Sequence, residues 1–529
     1  MACFDRDADE FVIHSPTPTA TKWWPGGLGK TATHAVVMAR LFLDGKDYGP
    51  HPFVMQIRDL ATHKPMPGVA VGDIGPKMGY NGVDNGYLRF DHVRVPRDSL
   101  LQKYSKVTRE GEYIPPHPSN TKSSYATLVF VRADIVKGAG EVLSKAATIA
   151  VRYNAVRRQT THMPGSPEEI ILNYQQSARN LIPMAATSYA LHFMGESMMD
   201  MYKEFEGQKE KGHFGMLPEL HATSSCLKAL TTWLTVSGIE TCRQACGGYG
   251  YSALSGLPSL YCNYVQNLTW EGDNTILCLQ TARYIVKNLL RVLKGHQEKG
   301  QVPPLADTVR YLAGAVKPIR VAEVSCVEHL YDSELLDTLM SQRCVFYARS
   351  ALETLESNAR KHKHSEIVLY EGDVWNASHV RLVGLAKTHG WLLLHRSFFK
   401  KLGQSSLVAL PAATRRILHD LALLFTLTQI EDTLGDFLEA GVLTQDQAPF
   451  VHEAVQNLLT KLRPDVVALV DAFAHDDYAL NSAIGSYDGD VYNRLLAMAK
   501  SNPFNATEEG PAWQDILGPF LNRQAKSKL

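Results

Sequence analysis

Apolar and polar residues alternate early in the chain and recur every three to four positions in the rest. The run Tyr87-Leu88-Arg89-Phe90, followed after a one-residue phase slip by Val93 and Val95, predicts a bulged strand. Gly and Pro punctuate this region at Pro65-Met66-Pro67-Gly68, Gly72, Gly75-Pro76, Gly79 and Gly82, and Val83-Asp84-Asn85-Gly86 carries the Asn-Gly signal of a tight hairpin. Residues 1–122 therefore predict a small β-barrel or sandwich. From about Tyr125 the period becomes helical, with Val129, Val136, Gly140, Leu143, Ala147 and Ala150 on one face. Further helices are expected over 176–205, 219–246 and beyond Asn274, where Ile276, Leu279, Ala282, Val286, Leu289 and Leu293 draw a buried stripe and Asn274 or Thr275 would be the N-cap. These make a four-helix arrangement within 123–298. Gly295 to Pro304 reads as a linker. Helical periodicity then resumes over 320–362, 374–402, 406–429 and 446–474, a second bundle within 305–529. The expected class is α+β, mostly α.

Composition narrows the function. Lys+Arg and Asp+Glu are 54 each, which gives no argument for a nucleic-acid partner. The eight Cys form no C-x-x-C pair and no metal site is expected; scattered thiols suit a reducing compartment. No run approaches the ~18 apolar residues of a membrane span. Asp5, Asp7, Asp9 and Glu10 argue against a secretory signal. Ser527-Lys528-Leu529 is the tripeptide that peroxisomal import receptors read, predicting the peroxisomal matrix.

Candidate chemistry gathers around Thr269-Trp270-Glu271-Gly272-Asp273-Asn274-Thr275, between a Gly-rich loop and the helix after Asn274. A carboxylate against an aromatic wall with few solvating neighbours suits a general base near neutral pH; an acid near a helix start is equally a dipole-favoured surface group. Upstream, Trp23-Trp24-Pro25-Gly26-Gly27-Leu28-Gly29-Lys30-Thr31 is not a phosphate loop, because the first Gly of that motif would fall on Trp24. It reads as a flat indole surface with bare backbone at Gly26 and Gly27, able to lie against a planar ligand, or as a turn with a core Trp. Arg157 and Arg158 near a Gln-bearing helix could clamp a diphosphate or form a solvated basic patch. One helix ends in Gln244-Ala245-Cys246-Gly247-Gly248-Tyr249-Gly250; an αL cap accounts for one glycine, and three allow close approach of a backbone or pyrophosphate. Arg132, a charge near the start of its helix, reads from local sequence as a solvated arginine.

The runs Cys246-Gly247-Gly248-Tyr249-Gly250-Tyr251, Thr269 to Thr275 and Leu279-Gln280-Thr281-Ala282-Arg283, together with Lys22 to Thr31 and the C-terminal tripeptide, resemble peroxisomal acyl-CoA oxidases of the acyl-CoA dehydrogenase superfamily. The resemblance covers essentially the whole chain. It implies that Glu271 is the catalytic base, that FAD contacts Trp24, Gly26, Gly27, Arg157, Gln175, Gln244, Gly247, Gly248, Gly272 and Asp273, and that Arg132 meets the acyl-CoA. It implies fatty acyl-CoA and O2 as substrates, trans-2-enoyl-CoA and H2O2 as products, and a homodimer across which part of the Arg and Gln contact to FAD is made. Family members open with an N-terminal helical domain of ~100 residues or more and a Thr-Glu-x-Gly-x-Gly-type loop. Here Ala2-Cys3-Phe4-Asp5 reads as already inside the β domain, so a truncated β domain with an unpaired edge is expected. The alternative reading is a catalytically weak chain that dimerises with a full-length oxidase.

Overall fold

The computed structural model describes residues 1–116, 123–161, 163–362, 369, 372–510 and 512–526. The Ser527-Lys528-Leu529 signal lies outside the described residues. The chain divides into two compact units, Met1–Thr127 and Leu128–Leu529.

The first unit is β-rich. Its strands are β1 (Ala2–Asp5), β2 (Glu10–Ile13), β3 (Lys22–Trp23), β4 (His34–Leu43), β5 (Lys46–Gln56), β6 (Val69–Asp73), β7 (Gly86–Phe90), β8 (Val93–Pro96), β9 (Lys106–Val107) and β10 (Tyr113–Ile114). They form a five-stranded sheet of order β5-β4-β1-β2-β8, a three-stranded sheet β3-β7-β6 and a β9-β10 pair, with no closed barrel among the described residues. Val37, Ala39, Leu41 and Leu43 of β4 alternate inward to meet Phe11, Phe53, Met55 and Leu88, so one face of each sheet feeds a shared core.

Three local expectations change. The two-residue hairpin sits at Asp44-Gly45, where φ of +49° and +77° joins β4 to β5 in the mirror-image geometry that matches strand twist. It is not at Asn85-Gly86, because Gly86 begins β7 and answers a different need: a Cβ there would lie 2.4 Å from the Gly29 nitrogen. The phase slip after Phe90 is not a bulge. The chain leaves the three-stranded sheet at Phe90, turns at His92 (φ +49°) and enters the five-stranded sheet as β8; the register irregularity lies instead between Arg40 and Phe42. Finally, β1 is not an edge strand: it pairs antiparallel with β2 and parallel with β4, and the edges of that sheet are β5 and β8.

The second unit is helical. Its α-helices are α1 (Ser123–Val156), α2 (Gln175–Glu210), α3 (Leu217–Ala245), α4 (Gly247–Tyr251), α5 (Leu257–Tyr264), α6 (Asn274–Lys299), α7 (Ser333–Lys361), α8 (Asp373–Ala377), α9 (His379–Leu402), α10 (Ser405–Val408), α11 (Ala412–Asp432), α12 (Leu434–Glu439), α13 (Ala448–Leu462), α14 (Val466–Asp471), α15 (Asp477–Leu480), α16 (Val491–Lys500) and α17 (Gly518–Lys526). α3 packs on α2 and α6, while α9 packs on α2, α3, α6 and α7 and so draws the later helices onto the earlier ones. Arg152 of α1 is buried and reaches Asp471 of α14 at 2.8 Å and the Gly485 carbonyl at 2.9 Å. No helix among the described residues is long and apolar enough to cross a membrane.

Candidate functional site

The segment ahead of α6 is built from two consecutive backbones on the left-handed side: φ is +54° at Glu271 and +108° at Gly272. Glycine takes such angles freely; a glutamate does so only when its surroundings hold it there. Gly272 is also required sterically, since a Cβ would lie 2.8 Å from Leu277 Cδ2. The N-cap of α6 is Asp273, whose carboxylate accepts from the Thr275 and Ile276 amides at 2.9 and 3.3 Å. Neither expected cap serves: Asn274 is buried inside the first turn, its amide donating to the Ala229 carbonyl and Thr232 Oγ1. Ile276 is exposed and leaves the apolar stripe, which begins at Leu277 and Leu279. Leu277 and Cys278 pack with Ala229 of α3 and Ala386 of α9, so the turn rests on a dry base.

Two cations grip this segment from behind. Arg132 Nε of α1 donates to the Glu271 carbonyl at 3.1 Å, and its Nη1 reaches Ser225 Oγ at 3.4 Å. Lys228 Nζ of α3 donates to the Gly272 carbonyl at 2.7 Å and to Asn274 Oδ1 at 2.9 Å. Arg132 is 7% exposed and Lys228 fully buried, so the solvated reading of Arg132 does not hold. Burial pulls the Lys228 ammonium down to about 8, with Arg132 acting in the same direction and Asp273 and Glu271 opposing. Burial likewise lowers Arg132, against the Glu271 charge, and lowers His221, with Arg132 assisting. Nothing in the spacing singled out Lys228. Its one available signal was a lone Lys in the run Ser224-Ser225-Cys226-Leu227-Lys228-Ala229-Leu230.

A second site in the same unit is a concavity of about 510 Å³ lined by Tyr153, Arg157, Gln244, Gly247, Gly248 and Tyr249, among others. Arg157 follows α1 and is half-buried, bonded to Gln159 Oε1 at 2.8 Å and Tyr492 Oη at 3.3 Å; the Tyr492 bond raises its pKa. Gly247 lies at φ +59° and opens α4, and both Gly247 and Gly248 have open space where a Cβ would stand. The third glycine has another cause: a Cβ on Gly250 would lie 2.0 Å from the Arg243 carbonyl oxygen. Gln175 is not among the lining residues; its amide donates to Gln456 Oε1 of α13 at 2.6 Å.

In the β unit, Trp24 is 59% exposed at φ +91°, so it is a surface indole and not a core one. Gly26 is exposed beside it, and Gly27 takes φ +73°. Asp84, expected only as a turn residue, and Arg58, which local spacing did not single out, shape this loop. Asp84 Oδ2 accepts from the Lys30 and Thr31 amides, both at 2.8 Å, which holds its carboxyl below the usual range. Arg58 Nη2 donates to the Leu28 and Gly29 carbonyls at 3.1 and 2.7 Å. The unit also brings His14, Asp91 and His92 together, ligand atoms within 4.8 Å, as a stacked imidazole pair that cysteine and histidine spacing did not reveal.

Residues 125–286 match the family described as acyl-CoA oxidase, C-alpha1 domain, and residues 332–522 match acyl-CoA oxidase. The chain is 41% identical to human peroxisomal acyl-coenzyme A oxidase 1 over 515 residues, 97% of this chain and 76% of that protein. Among solved structures it is similar to Arabidopsis thaliana acyl-CoA oxidase 1, at 40% identity and TM-score 0.90 over 99% of this chain and 77% of that one. It is also similar to Caenorhabditis elegans acyl-CoA oxidase-2 bound with FAD, ascaroside-CoA and ATP, at 32% identity and TM-score 0.89 over 99% and 75% of the two chains. Sequence, family profile and fold agree, and the chain belongs to the acyl-CoA oxidase family.

Proposed function

We propose that this chain is an FAD-dependent oxidase of fatty acyl-CoA thioesters, with Glu271 as the base that removes the α-proton. The observation that carries the reading is the state of Glu271. Its carbonyl is tied to Arg132, its backbone is held left-handed, its side chain is part-exposed, and its own N–H donates to no acceptor among the described residues. Removing an α-proton builds negative charge on the thioester oxygen, so the reaction needs a base and a donor to that oxygen. One residue then offers both: the carboxylate takes the proton and the uncommitted N–H faces the developing charge.

The residues present fit FAD. In the helical unit, Arg157 supplies a guanidinium for a diphosphate, and Gly247 and Gly248 line the same concavity without side chains that would fill it. In the β unit, the exposed Trp24 indole and bare Gly26 offer a flat apolar face to a ring system. Gln175, Gln244, Gly272 and Asp273 are proposed as further contacts by family resemblance, and Arg132 as a contact to the acyl-CoA. When bound, FAD would supply the acceptor for the β-hydride and the route by which two electrons reach dioxygen. The overall conversion is acyl-CoA plus O2 to trans-2-enoyl-CoA plus H2O2. We also propose a homodimer, division of the helical unit into 123–298 and 305–529, and import into the peroxisomal matrix through Ser527-Lys528-Leu529.

The test is Glu271→Gln, purified and scanned in the visible for bound flavin, then assayed for peroxide with acyl-CoA. A flavin band equal to wild type with turnover lower by about 10³-fold or more is expected. Unchanged turnover removes Glu271 as the base, and a wild-type chain that takes up no flavin removes the oxidase reading.

A further inference from the structure

We infer that Lys228 is a positioning residue for the reaction: it fixes the turn that aims Glu271. The inference rests on the assignment of Glu271 as base and extends it to a residue on a different helix.

The geometry has three parts. Lys228 lies in the interior of α3 with no exposed surface, yet its ammonium touches no carboxylate directly; its two bonds go to the Gly272 carbonyl at 2.7 Å and Asn274 Oδ1 at 2.9 Å. A buried ammonium bonded only to neutral oxygens destabilises the fold compared with an apolar side chain of similar size, so its place here is not explained by stability. Second, the carbonyls of Glu271 and Gly272, turned by the two positive-φ backbones, are met from behind by Arg132 and Lys228 respectively. With Asp273 capping α6 and Asn274 tied to α3, every residue from 271 to 274 has an anchor through its carbonyl or side chain, while the Glu271 carboxylate has none among the described residues. The clamp thus holds the backbone and leaves the base available. Third, the charges facing Lys228 are Arg132 from α1 and Glu271 and Asp273 from the turn.

Lys228→Met keeps the bulk and removes both the bonds and the charge. Two readouts separate the roles. The kcat for peroxide formation falls by about 10²-fold through misplacement of the base, with KM for acyl-CoA little changed. A crystal structure of the variant shows Glu271 out of its left-handed conformation and its carbonyl off Arg132. Lys228→Gln, which keeps a donor for the Gly272 carbonyl, restores most of kcat; should the Met variant fail to fold, the Gln variant is read by its kcat and structure. A Met variant with wild-type kcat and turn overturns the inference. Glu271→Gln run in parallel separates the two failures. If that variant stays active, the base assignment fails, and the crystallographic readout still decides whether Lys228 holds the turn.

Discussion

Substituting Gly272 by Ala tests the turn with a single methyl group. The backbone at φ +108° is one that an L-residue adopts at a cost of roughly 1–3 kcal/mol. The new Cβ would meet Leu277 at 2.8 Å from Cδ2 and 3.1 Å from Cγ. Leu277 is buried in a cluster with Ala229, Cys278 and Ala386 and has nowhere to swing, so overpacking adds about 1–3 kcal/mol. The sum, about 2–6 kcal/mol, reaches only the lower end of the roughly 5–15 kcal/mol that a folded protein commonly holds in reserve. The cheaper escape is local: residues 271 and 272 relax from the left-handed region and give up the carbonyl bonds to Arg132 and Lys228. The expected variant is folded, with a midpoint lower by a few degrees, and its turnover falls by about 10²-fold because the base is displaced. Thermal denaturation and a coupled peroxide assay measure the two effects on one preparation. If Gly272→Ala keeps both midpoint and turnover, the strained turn does not aim Glu271.

Two further outcomes are expected. His389 is fully buried, and burial, with Arg396 assisting, pulls its pKa to about 3. The unfolded chain therefore binds a proton near pH 6.5 that the folded chain refuses until about 3. The resulting stability is complete above 6.5 and is lost as pH falls, by up to about 1.4 kcal/mol per unit. Urea unfolding at pH 7 and pH 5 should show His389→Leu losing about 2 kcal/mol less than wild type; an equal loss in both would place the proton uptake elsewhere. Deleting Ser527–Leu529 from a fluorescently tagged chain should move it from punctate peroxisomal bodies to a diffuse distribution, and a persistent punctate pattern would show that another signal directs it.

What the sequence determined by itself was whatever short-range pattern encodes. The change of period near residue 125 separated a β unit from a helical one, and apolar spacing located the long helices, because burial of one face imposes a period of 2 or 3.6 whatever the topology. The motif around Glu271 and the Gln-x-x-Gly-Gly run were legible for a similar reason: their residues are contiguous, and the structure brings Arg157 to Gln244, Gly247 and Gly248. What tertiary structure alone decided depends on approach from elsewhere in the chain. Gly86 is a glycine because residues 28 and 29 cross it, and the slip after Phe90 is a change of sheet, neither of which local spacing can state. Asp273 caps α6 because Asn274 is drawn inward by Ala229 and Thr232. Arg132 and Lys228 read as ordinary cations in sequence; 139 and 44 positions from the carbonyls they hold, they take on a role only when α1 and α3 pack behind the turn. Hydrogen bonds at that separation leave no period in the sequence, because folding, and not chain proximity, brings donor to acceptor.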